Sequence, residues 1–274
     1  MLGTDLCQVL AGDHEVIGYD IDDFDIVDHV ATHDAVVAVE PEVVVHLAAF
    51  TDVEACETER SRAFECNATG TMNVAGASQS AEARLVYLST DYVFEGAKRE
   101  PYTELDHPGP LNYYGVTKLE GERLVQAMTP KHLIVRTSWL FGPNGKNFVD
   151  TMLKRALEGG PLRVVSDQRG CPTYTMDLAK GLKQVIQMGL EGIVHLTNSG
   201  DATWFDLAKH AVGVAGIECE IEPVLSESYP TKARRPLYSV LGSQVLGNTG
   251  FERLPHWQQG VRGHLSRKGM LKRS

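Results

Sequence analysis

"PEVVVHLAAF", residues 41–50, is an almost unbroken apolar run opened by a proline, and its reading decides the fold. A run without polar alternation does not suit a strand with one wet face. It suits a strand buried on both faces of a parallel sheet. The same pattern recurs outward from it. "RLVYLST" (84–90) and "KHLIVRTSW" (131–139) read as further buried strands. The helical stretches 61–80 and "NYYGVTKLEGERLVQAM" (112–128) separate them. Upstream, residues 2–10 read as a helix, "HEVIGYD" (14–20) as a short strand and "AVVAVE" (35–40) as the end of a second helix. Alternating units of this length predict an α/β fold, a doubly wound parallel sheet.

After about residue 142 the alternation loosens into short strands ("LRVV", "GIVHL"), helices and the proline-rich loop "EPVLSESYPTKARRPLYSV". Residues 1–142 are therefore expected to form a Rossmann-like dinucleotide-binding domain. Residues 143–274 are expected to be mainly a smaller substrate-binding lobe, with some segments returning to the main domain. Ligands bind at the carboxyl edge of such sheets, which this lobe would cover.

Composition narrows the partners. Residues 1–59 hold 15 Asp or Glu and no Lys or Arg, within a total net charge of -10. Such a surface is a poor match for nucleic acid or anionic lipid. No apolar run is long enough for a bilayer span, and no secretory signal is visible, so a cytoplasmic location is expected. The five cysteines (7, 56, 66, 171 and 219) lack metal-ligand spacing, which fits reduced thiols and no metal site.

The first residues, "MLGTDL", read as the start of a helix that follows a phosphate-binding turn. Asp20 lies 17 residues beyond Gly3, a spacing that fits Gly3 as the last glycine of a dinucleotide fingerprint and Asp20 as the acidic strand end at the ribose. The first strand and earlier glycines would then lie upstream of Met1. The aspartates 20, 22, 23, 25 and 28 do not make a calcium loop, since the sixth-position Gly and twelfth-position Glu are missing.

In "YYGVTK", Tyr114 and Lys118 are four residues apart on a helix and so share one face. A tyrosine hydroxyl can serve as acid or base in carbonyl reduction when an ammonium stabilises its phenolate. About one helix earlier, a buried strand ends in Ser89-Thr90-Asp91, where a hydroxyl could hold the substrate carbonyl. His46, inside an apolar strand, reads as a core histidine. The basic loop residues Lys232, Arg234 and Arg235 are candidates for a nucleotide diphosphate.

These stretches resemble the dTDP-4-dehydrorhamnose reductase family of the extended short-chain dehydrogenase/reductase superfamily. The likeness runs through "PEVVVHLAAFTDVEACE", "NATGT", "LSTDYVFEG", "PLNYYGVTKLEGE", "RTSWLFG", "DQRGCPTY" and "YPTKARRP". The resemblance implies reduction of a dTDP-6-deoxy-4-ketohexose to dTDP-L-rhamnose by NADH or NADPH. It implies Tyr114 as proton donor, Lys118 as its partner, and Thr90 and Asp91 at the sugar. Trp139 would line the sugar pocket, and Arg235 matches the family motif. Met1 and Leu2 would lie over the pyrophosphate beside Gly3, with Asp20 at the adenosine ribose. Asp25 and Ile26 would lie near the adenine, and Ala48, Ala49 and Phe50 along the cofactor.

Without a Lys or Arg before Arg60 nothing local would hold a 2′-phosphate, so NADH is expected over NADPH. A divalent ion is compatible with the family, but no ligand set is read for one. A second copy of the chain is a candidate partner. Two other functions share the resemblance: a regulatory module like the methionine adenosyltransferase beta subunit, and a sugar-nucleotide epimerase or dehydratase.

Overall fold

In a computed structural model, residues 1–271 are described. The main sheet has four strands, β1 (Val43–His46), β2 (Arg84–Thr90), β3 (His132–Thr137) and β5 (Gly192–His195), in the order β1-β2-β3-β5. All pairs are parallel, with Val45 opposite Val86, Leu88 opposite Val135 and Thr90 opposite Thr137. Most residues of β2 and β3 are buried, which is what their unalternated sequence requires. The helices of the first half are α1 (Leu2–Leu10), α2 (His29–Val39), α3 (Val53–Thr58), α4 (Arg60–Phe64), α5 (Thr71–Ser80) and α6 (Tyr113–Met128).

In the second half, α7 (Phe148–Glu158), β4 (Leu162–Val165), α9 (Trp204–Ala215) and β6 (Ile221–Val224) surround an apolar core of their own. There β4 pairs with β6. Both α8 (Thr175–Gln187) and β5 belong instead to the main sheet's core, where Leu178, Leu182 and Val194 meet Leu2, Leu6, Val86 and Val135. The chain ends its described course with α10 (Gln244–Gly247) and α11 (Trp257–Arg267).

One expectation needs correction. "HEVIGYD" forms no strand. Residues 15–20 have no regular structure and are almost wholly exposed, and among the described residues no strand pairs with the outer side of β1. A strand needs a neighbour for its backbone groups, and without one local β-propensity does not suffice. The stretch 61–80 is helical throughout, as expected, with a π-helical turn, Glu65–Gly70, between α4 and α5. It brings Gly70 against Ile26, where a Cβ would stand 2.7 Å from the Ile26 side chain. The C-terminal end of α11 is tied down. Arg267 donates to the buried Asp5 (2.8 Å) and Lys268 to Asp150 (2.8 Å), while residues 272–274 lie outside the described ones.

Candidate active site

The carboxyl end of β2 sets the first group. Thr90 leaves the strand with extended backbone and caps the short 3-10 turn Asp91–Val93, its hydroxyl accepting from Tyr92 N (3.2 Å). That hydroxyl donates to Asp91 Oδ1 (3.1 Å), and Ser239 Oγ donates to Asp91 Oδ2 (2.5 Å). Burial raises the Asp91 carboxyl to about 7, against the pull of the Ser239 and Thr90 hydroxyls.

Helix α6 brings the second group. Asn112 caps it through Gly115 N (2.9 Å), and Glu57 accepts from Tyr113 N (2.7 Å). Gly115 lies so close to the 3-10 turn that a Cβ would sit 2.2 Å from Tyr92 O. This approach sets Tyr114 near Thr90 and edge-on to Tyr92 at 6.1 Å between ring centroids. Desolvation first, then the charge of Asp91, holds the Tyr114 phenol well above an ordinary tyrosine, while Thr90 acts the other way. At neutral pH Tyr114 therefore carries its proton.

One turn on, Lys118 is only 3% exposed. Its ammonium lies over the Tyr87 ring, 4.1 Å from the centroid, a cation–π contact. Burial lowers it to about 7, opposed by the negative charge of Glu122 one further turn along.

The third group lies where β1 ends. Asn67, in the π-helical turn, accepts from Phe50 N (2.7 Å) and donates to Phe50 O (3.0 Å) and Thr117 Oγ1 (3.0 Å). One amide thus fixes the Ala48–Phe50 segment beside the helix of Lys118. Ile26 joins the same side, its carbonyl held by Asn73 (2.9 Å) and its side chain against Gly70. Asp25 is used locally, accepting from Val27 N (3.0 Å). Gly3 faces the end of β1, and a Cβ there would meet Leu47 at an ordinary 3.8 Å. Close packing is therefore not what this glycine serves here.

Two of the expected cofactor residues are placed otherwise. Asp20 stands in an exposed turn, its carboxylate accepting from Ile21 N (2.8 Å), and its described contacts stay within that turn. Leu2 is 5% exposed, and its side chain belongs to the main core, which leaves its backbone alone at the helix N-terminus. Met1 packs beside Gly145. His46 is a core histidine, stacked on Tyr87 and bonded to Thr71 (3.0 Å). Burial, then the Lys118 charge, lowers it to about 3.

On the lobe side, Trp139 adopts a left-handed φ of 47°, a strained conformation for a bulky residue. It stacks on Trp204 with centroids 3.5 Å apart. Arg235 reaches Tyr92 and pairs with Glu54 (2.8 Å). Asn67, Trp204, Glu54 and Glu122 were not singled out by sequence. Asn67 stood inside the quoted "NATGT", but nothing in its spacing pointed to Phe50.

Residues that would hold a nicotinamide cofactor fit the groups present. The ammonium of Lys118 is buried and in no ion pair among the described residues, on a helix that Asn67 ties to Phe50 through Thr117. Among the described residues no acidic, histidine or cysteine cluster could hold a metal. A tyrosine and lysine one turn apart, placed with a threonine at the carboxyl edge of a parallel sheet, define a short-chain dehydrogenase/reductase type of enzyme.

The comparisons agree. The chain belongs to the family of the RmlD substrate binding domain, whose model matches residues 1–269. It is 39% identical to the spore coat polysaccharide biosynthesis protein SpsK of Bacillus subtilis over 97% of this chain and 94% of that one. It is 40% identical to a dTDP-4-dehydrorhamnose reductase of Sinorhizobium fredii over 81% of this chain and 79% of that one. The crystal structure of dTDP-4-dehydrorhamnose reductase from Bacillus anthracis, in complex with NADP, superposes with a TM-score of 0.95. There the identity is 38%, covering 97% of this chain and 95% of that one.

Proposed function

We propose that the protein reduces the 4-keto group of dTDP-4-dehydrorhamnose, giving dTDP-L-rhamnose. The observation that carries the reading is the Thr90–Tyr114–Lys118 arrangement at the sheet edge, in a chain of this family. The nicotinamide, when bound, supplies the hydride. Tyr114, protonated at neutral pH, gives its proton to the new alkoxide at C4. Thr90 orients that oxygen, and Lys118 stabilises the phenolate left behind and holds the nicotinamide ribose. Gly3, Ile26, Ala48, Ala49 and Phe50 line the cofactor, with Met1, Leu2 and Asp25 contributing backbone or flank.

Asp91 and Trp139 contact the sugar, and Arg235 meets the diphosphate. The residues after 142 form most of the substrate-binding lobe. We place the enzyme in the cytoplasm, with all five cysteines free; no described helix is long and apolar enough to cross a membrane. We also propose NADH as the preferred reductant, supported by the absence of Lys and Arg from residues 1–59.

The test follows NADH and NADPH absorbance with dTDP-4-dehydrorhamnose. One reduced nicotinamide oxidised per sugar is the expected result, with the lower KM for NADH. Interconversion of the sugar without net oxidation would mark an epimerase instead. No change in either, with the protein folded, would leave the reductase reading without support.

A further inference from the structure

The basic loop "TKARRP" lies on the substrate side, yet its anchors are in the nucleotide-binding half. Glu54, in the first turn of α3, accepts from Lys232 N (2.8 Å) and Ala233 N (3.5 Å) with Oε2. Its Oε1 stands 2.8 Å from Arg235 Nη1. No donor is aligned on this buried Oε1, so the contact with Arg235 is one of charge rather than a directed hydrogen bond. Asn112, the cap of α6, donates to Arg234 O (2.9 Å). The guanidinium of Arg235 continues to Tyr92, and Tyr92 meets Tyr114 edge-on. One carboxylate therefore ends a chain of contacts, Glu54–Arg235–Tyr92–Tyr114, that crosses from α3 to the proton donor.

We propose that Glu54 is a positioning residue for the sugar nucleotide: it latches the 231–235 loop to α3 and holds Arg235 facing the substrate's diphosphate. The inference rests on the reductase reading above. Its physical basis is preorganisation. A loop fixed before binding loses less conformational freedom when the ligand arrives. An arginine held between Glu54 and Tyr92 still has further N–H groups for phosphate recognition. The chemistry assigned to Glu54 is selective, because α3 carries different anchors for the other ligand. Cys56 Sγ contacts Phe50 O (3.6 Å) on the cofactor segment, and Glu57 holds the start of α6.

The test compares wild type with Glu54→Gln and Glu54→Ala by steady-state kinetics, cofactor titration and hydrogen exchange of the 229–236 segment. Glu54→Gln retains an acceptor for the backbone amides but loses the charge on Arg235. Its KM for the dTDP-sugar should rise about tenfold, with kcat within threefold and nicotinamide affinity unchanged. Glu54→Ala should raise KM further and speed exchange of the Lys232 and Ala233 amides. In an Arg235→Gln background, adding Glu54→Gln should change KM by less than twofold. A wild-type KM in both Glu54 variants, or equal losses in sugar and cofactor binding, would overturn the latch. If wild type itself turns over no dTDP-sugar, the reductase reading fails, and the exchange arm still decides: unaltered amide exchange in Glu54→Ala removes the latch on its own.

Discussion

Two buried charges at the site, Asp91 and Lys118, make the free protein's stability depend on pH in a defined way. The Asp91 carboxyl is raised to about 7 by burial, so the native state binds more protons than the unfolded chain between about pH 4 and 7. Its contribution is present below the unfolded value and is lost as pH rises to 7. Lys118 is lowered to about 7, so the native state binds fewer protons between 7 and about 10.5. Its contribution is absent at pH 7 and returns as pH rises. Below pH 7 the buried His46, lowered to about 3, binds fewer protons in the native state and offsets the Asp91 slope, so thermal melts of the cofactor-free protein should show the Lys118 rise above about pH 7. Lys118→Met should remove the alkaline rise and melt higher than wild type at pH 6, by about 2–4 °C per kcal/mol recovered. A profile without a rise above about pH 7 would mean that Lys118 does not titrate where its burial puts it.

The same residues govern turnover. Tyr114→Phe removes the proton donor while leaving the ring against Tyr92, so kcat should fall by about 10²–10⁴ with nicotinamide affinity retained. Stopped-flow hydride transfer and cofactor titration separate the two effects. Full activity in this variant would move the proton to another group. With Lys118 protonated in the working enzyme, kcat/KM should fall as pH rises above about 7.

Among the elements, α6 owes its position to small residues as much as to its apolar face. Gly121 is buried, and a Cβ there would stand 2.3 Å from Tyr87 Oη and 2.8 Å from Asn67 O. Alanine is the better helix former by about 1 kcal/mol, yet here it has to push α6 away from β2. Gly121→Ala should therefore destabilise the protein, by about 1–3 kcal/mol for overpacking, and lower kcat by displacing Lys118 and Tyr114. Denaturant melts and steady-state kinetics check both. A more stable Gly121→Ala would show that propensity outweighs the contact.

The elements also show what sequence could and could not convey. β1, β2, β3 and α6 were legible because their periodicity reflects burial, and Thr90, Tyr114 and Lys118 because order and spacing along two elements define them. The strand at 14–20 misled because its residues favour β structure while its stability depends on a neighbour. The π-helical turn was invisible, since Asn67 and Gly70 answer to Phe50 and Ile26, contacts remote in sequence. Glu54 escaped notice because its partners lie near residue 235, across the whole chain.

At the scale of the molecule, a buried polar network joins strands, helix and lobe loops beneath the site. Glu122 on α6 receives Ser89 Oγ (2.5 Å) and a two-pronged pair from Arg136 on β3 (2.8 and 2.7 Å). Both charged side chains are almost fully enclosed, 2% and 3% exposed. Arg136 faces His195 Nε2 (3.5 Å) on β5, whose Nδ1 meets the carbonyls of Gly242 (2.8 Å) and Tyr102 (3.1 Å). Those contacts require a proton on Nδ1 and leave Nε2 to accept from Arg136. Burial lowers the His195 pKa, while Glu104 pulls the other way, which fits a neutral ring.

Removing one member strands a charge, so Glu122→Ala should cost about 3–5 kcal/mol. Replacing both, as in Glu122→Met with Arg136→Met, should recover most of that loss, because the desolvation of two ions disappears with their attraction. Activity should not recover with stability. Glu122 opposes the effect of burial on Lys118, so the double variant should lose its kcat/KM at lower pH than wild type. Melting curves and pH–rate profiles of the single and double variants test the two claims separately. A double variant as unstable as Glu122→Ala would assign the loss to packing, and an unmoved alkaline limb would disconnect Glu122 from Lys118.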